Sequence, residues 1–327
     1  MLEKRAIRSH SRLPRCLQPW TLNGLALPNR VIRAAAFAGA TLEEMTKTHV
    51  ELAEGGVGMT TVAYACVSSD GRTFKNQLDL SKMETGECDV VDDVRSRVTL
   101  TPLFFPRTAV ALRSLTDSVH DAGAKVSVQL THAGGFASTE VIGKRQKAPS
   151  ASFSPANLNW SEEMSEDDLN RIAGDFAHAA AIAVTVSGFD AVELHCGHGY
   201  LLSQFLSPST NASRGDGYGG KRVEDRMRFP LRVLRAVRAA VGSGVPVLVK
   251  CVGPERLITH KMLYITLNSL TVCKQLSRLQ PTNQVQRLRR IQLGPQAHAC
   301  PCVCSRRSRG WCRSPRPVLR LRRSQRL

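Results

Sequence analysis

The sequence predicts an α/β fold in which parallel strands are covered by helices. Three observations carry that prediction. Apolar strand-like runs and helix-period segments alternate five times between residues 31 and 250. The strand-like runs are continuously apolar, as in a sheet covered on both faces. Polar, proton-handling side chains stand just after the ends of these runs, where α/β barrels build their sites. No Gly-x-Gly-x-x-Gly follows the first strand. A TIM (β/α)8-type barrel is therefore favoured over an open doubly wound sheet.

The elements follow in order. Val31 to Ala36 reads as a first strand after the turn-like Leu27-Pro28-Asn29-Arg30. Thr46 to Glu54 is a short helix ended by Gly55-Gly56, and Val57 to Val62 is a second strand. Thr108 to Asp121 has helical periodicity, and Lys125 to Leu130 is a third strand. Ser165, with Asp168 three residues on, starts an alanine-rich helix that runs to about Val186. Ala191 to His195 is the fourth strand, Glu224 to Val241 a helix, and Pro246 to Lys250 the fifth strand. Two segments break the alternation. Residues 87–106 have no clear period and read as an irregular insertion. From Pro254 onward the pattern fails.

Composition divides the chain in the same place. Of 327 residues, 42% are hydrophobic, an ordinary share for a globular protein, and the formal net charge is +18. Residues 255–327 hold sixteen Lys or Arg and a single acid, so the preceding body is nearly neutral. Three segments are expected: an arm over 1–19, a partial barrel over 20–253, and a basic, Cys- and Arg-rich disordered tail over 254–327. A nucleic-acid or anion-binding role would rest on that tail. It lacks an aromatic platform beyond Trp311, and Cys300-x-Cys302-x-Cys304 lacks zinc-ribbon spacing. No specific nucleic-acid site is expected. No run reaches the ~18 apolar residues of a membrane span. The remaining cysteines are scattered, and no signal-peptide core follows Lys4, Arg5 and Arg8. A cytoplasmic chain with free thiols is expected, and an Arg-rich presequence for mitochondria is the alternative.

The stretch from Phe189 to Pro208 carries most of the chemistry. A short strand delivers His195, His198 and Tyr200, three proton-handling side chains, to one strand end. The histidines also suit a metal pair, but no carboxylate stands at ligand spacing and no metal is expected. Read alone, either histidine is equally a satisfied core residue, Tyr200 a packing residue and Gln129 a strand-end cap. Glu193, inside a strand, reads as a structural partner. Lys250, at a buried strand end, demands a counter-charge from a ligand or a neighbouring carboxylate.

Several motifs together resemble the Old Yellow Enzyme family of FMN-dependent NAD(P)H oxidoreductases. His195-Cys196-Gly197-His198-Gly199-Tyr200-Leu201-Leu202-Ser203-Gln204-Phe205-Leu206-Ser207-Pro208 is the strongest match. Gln129-Leu130-Thr131-His132-Ala133-Gly134 resembles the family's Gln-Leu-x-His-x-Gly signature. Asn29 to Ala36, Glu54 to Gly58, Ser69-Asp70-Gly71-Arg72, Asn211, Arg214, Asp216, Tyr218-Gly219-Gly220, Glu224 and Arg226 follow the family's order. The resemblance implies a barrel that holds FMN at its mouth. Ala35, Ala36, Gln129 and Lys250 would lie against the flavin, with NAD(P)H as the reductant. It implies reduction of the C=C bond of an enone or related electrophilic alkene. His195 and His198 would hold the carbonyl oxygen and Tyr200 would protonate the α-carbon. A homo-oligomer is compatible with this reading.

Three departures accompany the resemblance. Phe37 stands where the family has Thr or Cys, and Lys250 where it has arginine. The strands that should follow Gly253 and bind the FMN phosphate are replaced by the basic tail. The sequence therefore reads as a barrel truncated after strand five. It is either an active enzyme, or an inactive remnant of one, or a scaffold for a basic binding tail.

Overall fold

The computed structural model describes residues 13–37, 39–82, 107–154, 157–211, 213–252 and 262–266. A hairpin comes first. β1 (Trp20–Leu22) pairs antiparallel with β2 (Leu25–Leu27). Asn23 and Gly24 take φ values of +46° and +89°, the left-handed pair that a two-residue hairpin turn requires. Next come β3 (Ile32–Arg33), α1 (Leu42–Glu54), β4 (Met59–Cys66), β5 (Leu78–Asp79), α2 (Arg107–Asp121), β6 (Lys125–Thr131) and the single turn α3 (Thr139–Ile142). Four two-residue strands follow: β7 (Lys147–Ala148), β8 (Phe153–Ser154), β9 (Asn159–Trp160) and β10 (Glu162–Glu163). The described chain closes with α4 (Glu166–Thr185), β11 (Ala191–Cys196), α5 (Leu201–Leu206), α6 (Val223–Val241), β12 (Val247–Val252) and β13 (Met262–Thr266).

β3, β4, β6, β11 and β12 lie side by side in chain order, each parallel to the next. A doubly wound sheet reverses its strand order at a switch point; this sheet does not. Sequential parallel winding with helical crossovers is the wall of a β/α barrel, here an arc of one.

Helix ends follow local chemistry. Thr41 caps α1: its hydroxyl accepts from Glu44 N, and the Glu44 carboxylate accepts from Thr41 N at 2.8 Å. This capping box starts the helix four residues before the expected Thr46. Ser165 and Asp168 form the expected box on α4, with Ser165 N donating to Asp168 at 2.9 Å.

The first strand is shorter than expected, at two residues rather than Val31 to Ala36. Beyond Arg33 the chain leaves the sheet, and the Ala35 carbonyl accepts from Lys250 Nζ instead of a strand neighbour. A second correction concerns residues 254–327, expected to be disordered. Met262–Thr266 pairs antiparallel with β12, from Leu248↔Thr266 to Val252↔Met262. The run Met-Leu-Tyr-Ile-Thr is a good strand former, and it satisfies the outer edge of β12. The rest of the tail, the arm before residue 13 and the 87–106 segment lie outside the described residues.

The sheet's two faces differ in kind. Val62, Ala65, Val126, Val128, Leu130, Val192, Leu194, Val247 and Val249 point outward, under Leu112, Leu115, Leu169, Phe176, Phe229 and Val233 of the helices. Each large apolar side chain buried there contributes about 2 kcal/mol. The inner face is apolar only at its amino end. There Leu22 and Leu27 of the hairpin pack on Met59, Ala191 and Leu248. Asn23 ties the hairpin down by donating to Ser243 O at 2.9 Å. Above this plug the inner face is polar, and strands expected to be apolar throughout alternate instead. Ser127 and Gln129 on β6, Glu193 and His195 on β11, and Lys250 on β12 are all buried.

Candidate active site

The inner face builds upward in layers. Ser127 donates to Thr61 Oγ1 at 2.9 Å, and Arg33 donates to Thr61 O at 3.0 Å. One layer higher, Gln129 Nε2 donates to Glu193 Oε1 at 2.6 Å. Gln129 and Glu193 are register partners on adjacent strands, so their side chains rise together. Burial pushes the Glu193 carboxyl up to about 6, against the Gln129 hydrogen bond and the Lys250 charge. Burial likewise lowers Lys250, while Glu193 holds it up. Glu193 thus lends Lys250 a nearby negative charge, while Lys250 Nζ donates to Ala35 O at 3.0 Å. Ala35 is buried behind it, and Ala36 is exposed at the rim.

The carboxyl ends of the strands carry the rings. His195 lies one residue before the end of β11, and its ring centroid is 4.8 Å from Tyr200 and 5.1 Å from His198. All three predicted proton-handling groups therefore meet. Burial, with His198 and Lys250 nearby, holds His195 down at about 3 and keeps it neutral. Its Nδ1 is buried without a hydrogen-bond partner among the described residues. His198 and Gly199 take φ of +57° and +77°, turning the chain back so that Tyr200 returns toward His195. A Cβ at Gly199 would sit 2.3 Å from the Phe136 ring, so glycine is required there.

Tyr64 is a site residue that sequence reasoning missed. Its hydroxyl lies 2.8 Å from that of Tyr200. Its ring is 5.4 Å from Tyr200, 5.5 Å from Phe37 and 6.0 Å from Phe74. The second strand was expected to end at Val62, two residues before Tyr64 and four before the end of β4 at Cys66. β4 instead continues through a register shift between Val62 and Ala65, and this irregularity lets Tyr64 face the mouth. An aromatic at a strand's carboxyl end was the available signal. Phe37, placed by sequence beside the flavin, is half exposed and stacks 4.5 Å from Phe74.

The other motif residues brace the mouth. Gln204 is buried: it accepts from Gly135 N at 3.0 Å and donates to Ala133 O and Gly199 O at 3.1 and 2.6 Å. One side chain thus clamps the loops after β6 and β11. His132 Nδ1 accepts from Gly134 N at 3.0 Å, so its Nε2 carries the proton and faces Asp70 at 3.3 Å. Asp70 also accepts from Arg171 at 2.6 Å, and these cationic and hydrogen-bonding partners hold its carboxyl well below the usual range despite burial. Asn211 donates to Phe205 O and Tyr218 O, Arg226 to Leu206 O and Gly220 O, and Arg214 pairs with Asp216 and Pro149 O.

A model of the NADH:flavin oxidoreductase / NADH oxidase family matches residues 101–291. The chain belongs to this family. The match begins inside the segment expected to be an insertion and runs past Gly253, where the resemblance was expected to stop. FMN with NAD(P)H as reductant goes with the family, which includes the Old Yellow Enzymes. The chain is 38% identical over 242 residues to 4,4'-dithiodibutanoate disulfide reductase of Rhodococcus erythropolis, covering 72% of this chain and 53% of that protein. It is 31% identical to an NADPH dehydrogenase of Bacillus licheniformis, over 67% of this chain and 58% of the relative. Among solved structures, Old Yellow Enzyme from a Pichia species matches with a TM-score of 0.60 at 25% identity, over 72% of this chain and 59% of that one. The chain thus spans little more than half the length of each of these relatives. Among the described residues, no helix is long and apolar enough to cross a membrane.

Proposed function

We propose that this chain is an FMN-dependent NAD(P)H oxidoreductase that reduces the C=C bond of α,β-unsaturated carbonyl compounds. The observation that carries the proposal is the meeting of His195, His198 and Tyr200 above a buried Gln129–Glu193–Lys250 layer. The residues present fit the flavin ring system. Ala35, Ala36, Gln129 and Lys250 would hold it, and the unpartnered Nδ1 of His195 aims a buried polar atom at the same mouth. FMN, when bound, supplies the hydride equivalent that NAD(P)H provides.

The chain's own residues account for the remaining chemistry. Neutral His195, together with His198, hydrogen-bonds the carbonyl oxygen of the small-molecule substrate and favours charge build-up there. The Tyr200 hydroxyl gives its proton to the α-carbon. Phe37, Phe74 and Tyr64 line the mouth beside Tyr200.

Two variants test these roles. Tyr200→Phe slows the alkene half-reaction on the order of 10²-fold or more, and far more than it slows flavin reduction. Equal loss in both half-reactions would contradict the role given to Tyr200. The double variant His195→Ala with His198→Ala weakens binding of a simple phenol, read as the charge-transfer band that phenolates form with bound flavin. Undiminished phenol binding would remove the histidines from the oxygen site.

A further inference from the structure

We propose that Tyr64 is a positioning residue for the Tyr200 proton: its hydroxyl donates to the Tyr200 oxygen, leaving the Tyr200 proton free to point into the mouth, and holds that oxygen after the proton has gone. The inference rests on the assignment of Tyr200 as proton donor. It adds a second phenol, from a different strand, to that donor.

The geometry is direct. The two oxygens are 2.8 Å apart, and the residues are 136 positions apart in sequence, so the pairing is tertiary. β4's register shift delivers Tyr64, and the left-handed His198-Gly199 turn delivers Tyr200. Either hydroxyl can donate in such a pair. The reaction sets the direction: once Tyr200 has given up its proton its oxygen can only accept, and burial, with Phe37 and Phe74 against the ring, keeps the proton on Tyr64 for donation. If Tyr200 donated to Tyr64 instead, its own proton would be spent inside the pair. The titratable groups facing the pair are Cys66 on β4, His195 on β11 and His198 in the loop after it; Lys250 on β12 acts on His195. Burial keeps Cys66 protonated and His195 neutral, so neither supplies the stabilising charge that a Tyr200 phenolate needs. The Tyr64 hydroxyl supplies a hydrogen bond instead.

The proton accounting is simple. FMN, when bound, would supply the hydride equivalent from NAD(P)H for the β-carbon. The Tyr200 O–H bond breaks, a C–H bond forms at the α-carbon, and the electron pair stays on the Tyr200 oxygen. Tyr64 keeps its own proton and shares it with that oxygen. Water then reprotonates Tyr200, which is partly exposed.

The chain has four tyrosines, Tyr64, Tyr200, Tyr218 and Tyr264. Labelling the full chain with tyrosine enriched in 13C at Cζ gives one resonance per residue, assigned by single Tyr→Phe variants. The pH titration of these resonances needs neither flavin nor substrate. In Tyr64→Phe, the Tyr200 resonance is expected to titrate about one pH unit higher, a tenfold weaker acid, since a hydrogen bond to the charged form has been removed. In Tyr200→Phe, the Tyr64 resonance is expected to titrate lower, having lost its acceptor. An unmoved Tyr200 titration in Tyr64→Phe would overturn the inference. Should that variant fail to fold, an unmoved Tyr64 titration in Tyr200→Phe would overturn it as well. Because the measurement is made without flavin, a chain that takes up no FMN would sink the enzyme reading and leave this result standing.

Discussion

Burial decides which protons each residue in and behind the mouth keeps. His195 is held down at about 3 and His49, bonded to Thr60 behind the sheet, at about 4, both chiefly by burial. A histidine with a depressed folded pKa gives stability that is present above its unfolded value near 6.5 and is lost as pH falls below it. Glu193, raised to about 6, acts in the opposite sense: its contribution is full at low pH and is lost as pH rises through 6. Two histidines outweigh one carboxyl. Stability is therefore expected to fall by about 2–3 kcal/mol between pH 6.5 and pH 5. Glu193→Gln removes the opposing contribution and steepens the fall. Urea midpoints measured across this range check both expectations; a midpoint independent of pH would show that these groups are solvated. The same burial explains what was legible at this scale. His195, His198 and Tyr200 were visible in the sequence because a motif spells them out contiguously. Tyr64 was not: its one local signal was an aromatic near a strand's carboxyl end, and its place depends on an irregularity in β4 beyond the expected strand end.

Single side chains join elements into a site, and Gln204 does this most directly. Its amide satisfies three backbone groups in the loops after β6 and β11, all in buried or part-buried positions. Gln204→Ala leaves those groups unpaired and is expected to cost about 3 kcal/mol of stability. It should also loosen Tyr200, because Gly199 O loses its donor. The thermal midpoint and phenol affinity of the variant check this together; an unchanged midpoint would contradict the clamp. The amino-terminal hairpin offers a second test. Asn23→Ala loses both a residue that tolerates φ of +46° and the bond to Ser243 O, and should cost about 1–2 kcal/mol in a denaturant titration. That hairpin was legible in principle, since Asn23-Gly24 is a strong turn signal. The sequence reading passed over it because the flanking apolar runs are only three residues long. Helix starts depended on how caps were read: Ser165 was recognised and Thr41 was not, although both head the same reciprocal box.

At the scale of the whole molecule, the parallel winding was legible and the character of the barrel's inside was not. Alternating strands and helices with short connections admit few topologies, and sequential winding is one of them. The strands read as uniformly apolar because Val126, Val128, Val192, Leu194, Val247 and Val249 dominate them. The intervening Ser127, Gln129, Glu193 and Lys250 make the inner face polar, and they satisfy one another and the backbone there. The central claim is that this interior holds a flavin. The measurement that tests it most directly is the visible absorption spectrum of the purified full chain, with FMN added and then NADPH under anaerobic conditions. The account predicts a protein-bound flavin band that bleaches on NADPH addition, weakened in Gln129→Ala and Lys250→Ala. A colourless chain that takes up no FMN would contradict it and would make the site a record of ancestry rather than a working centre.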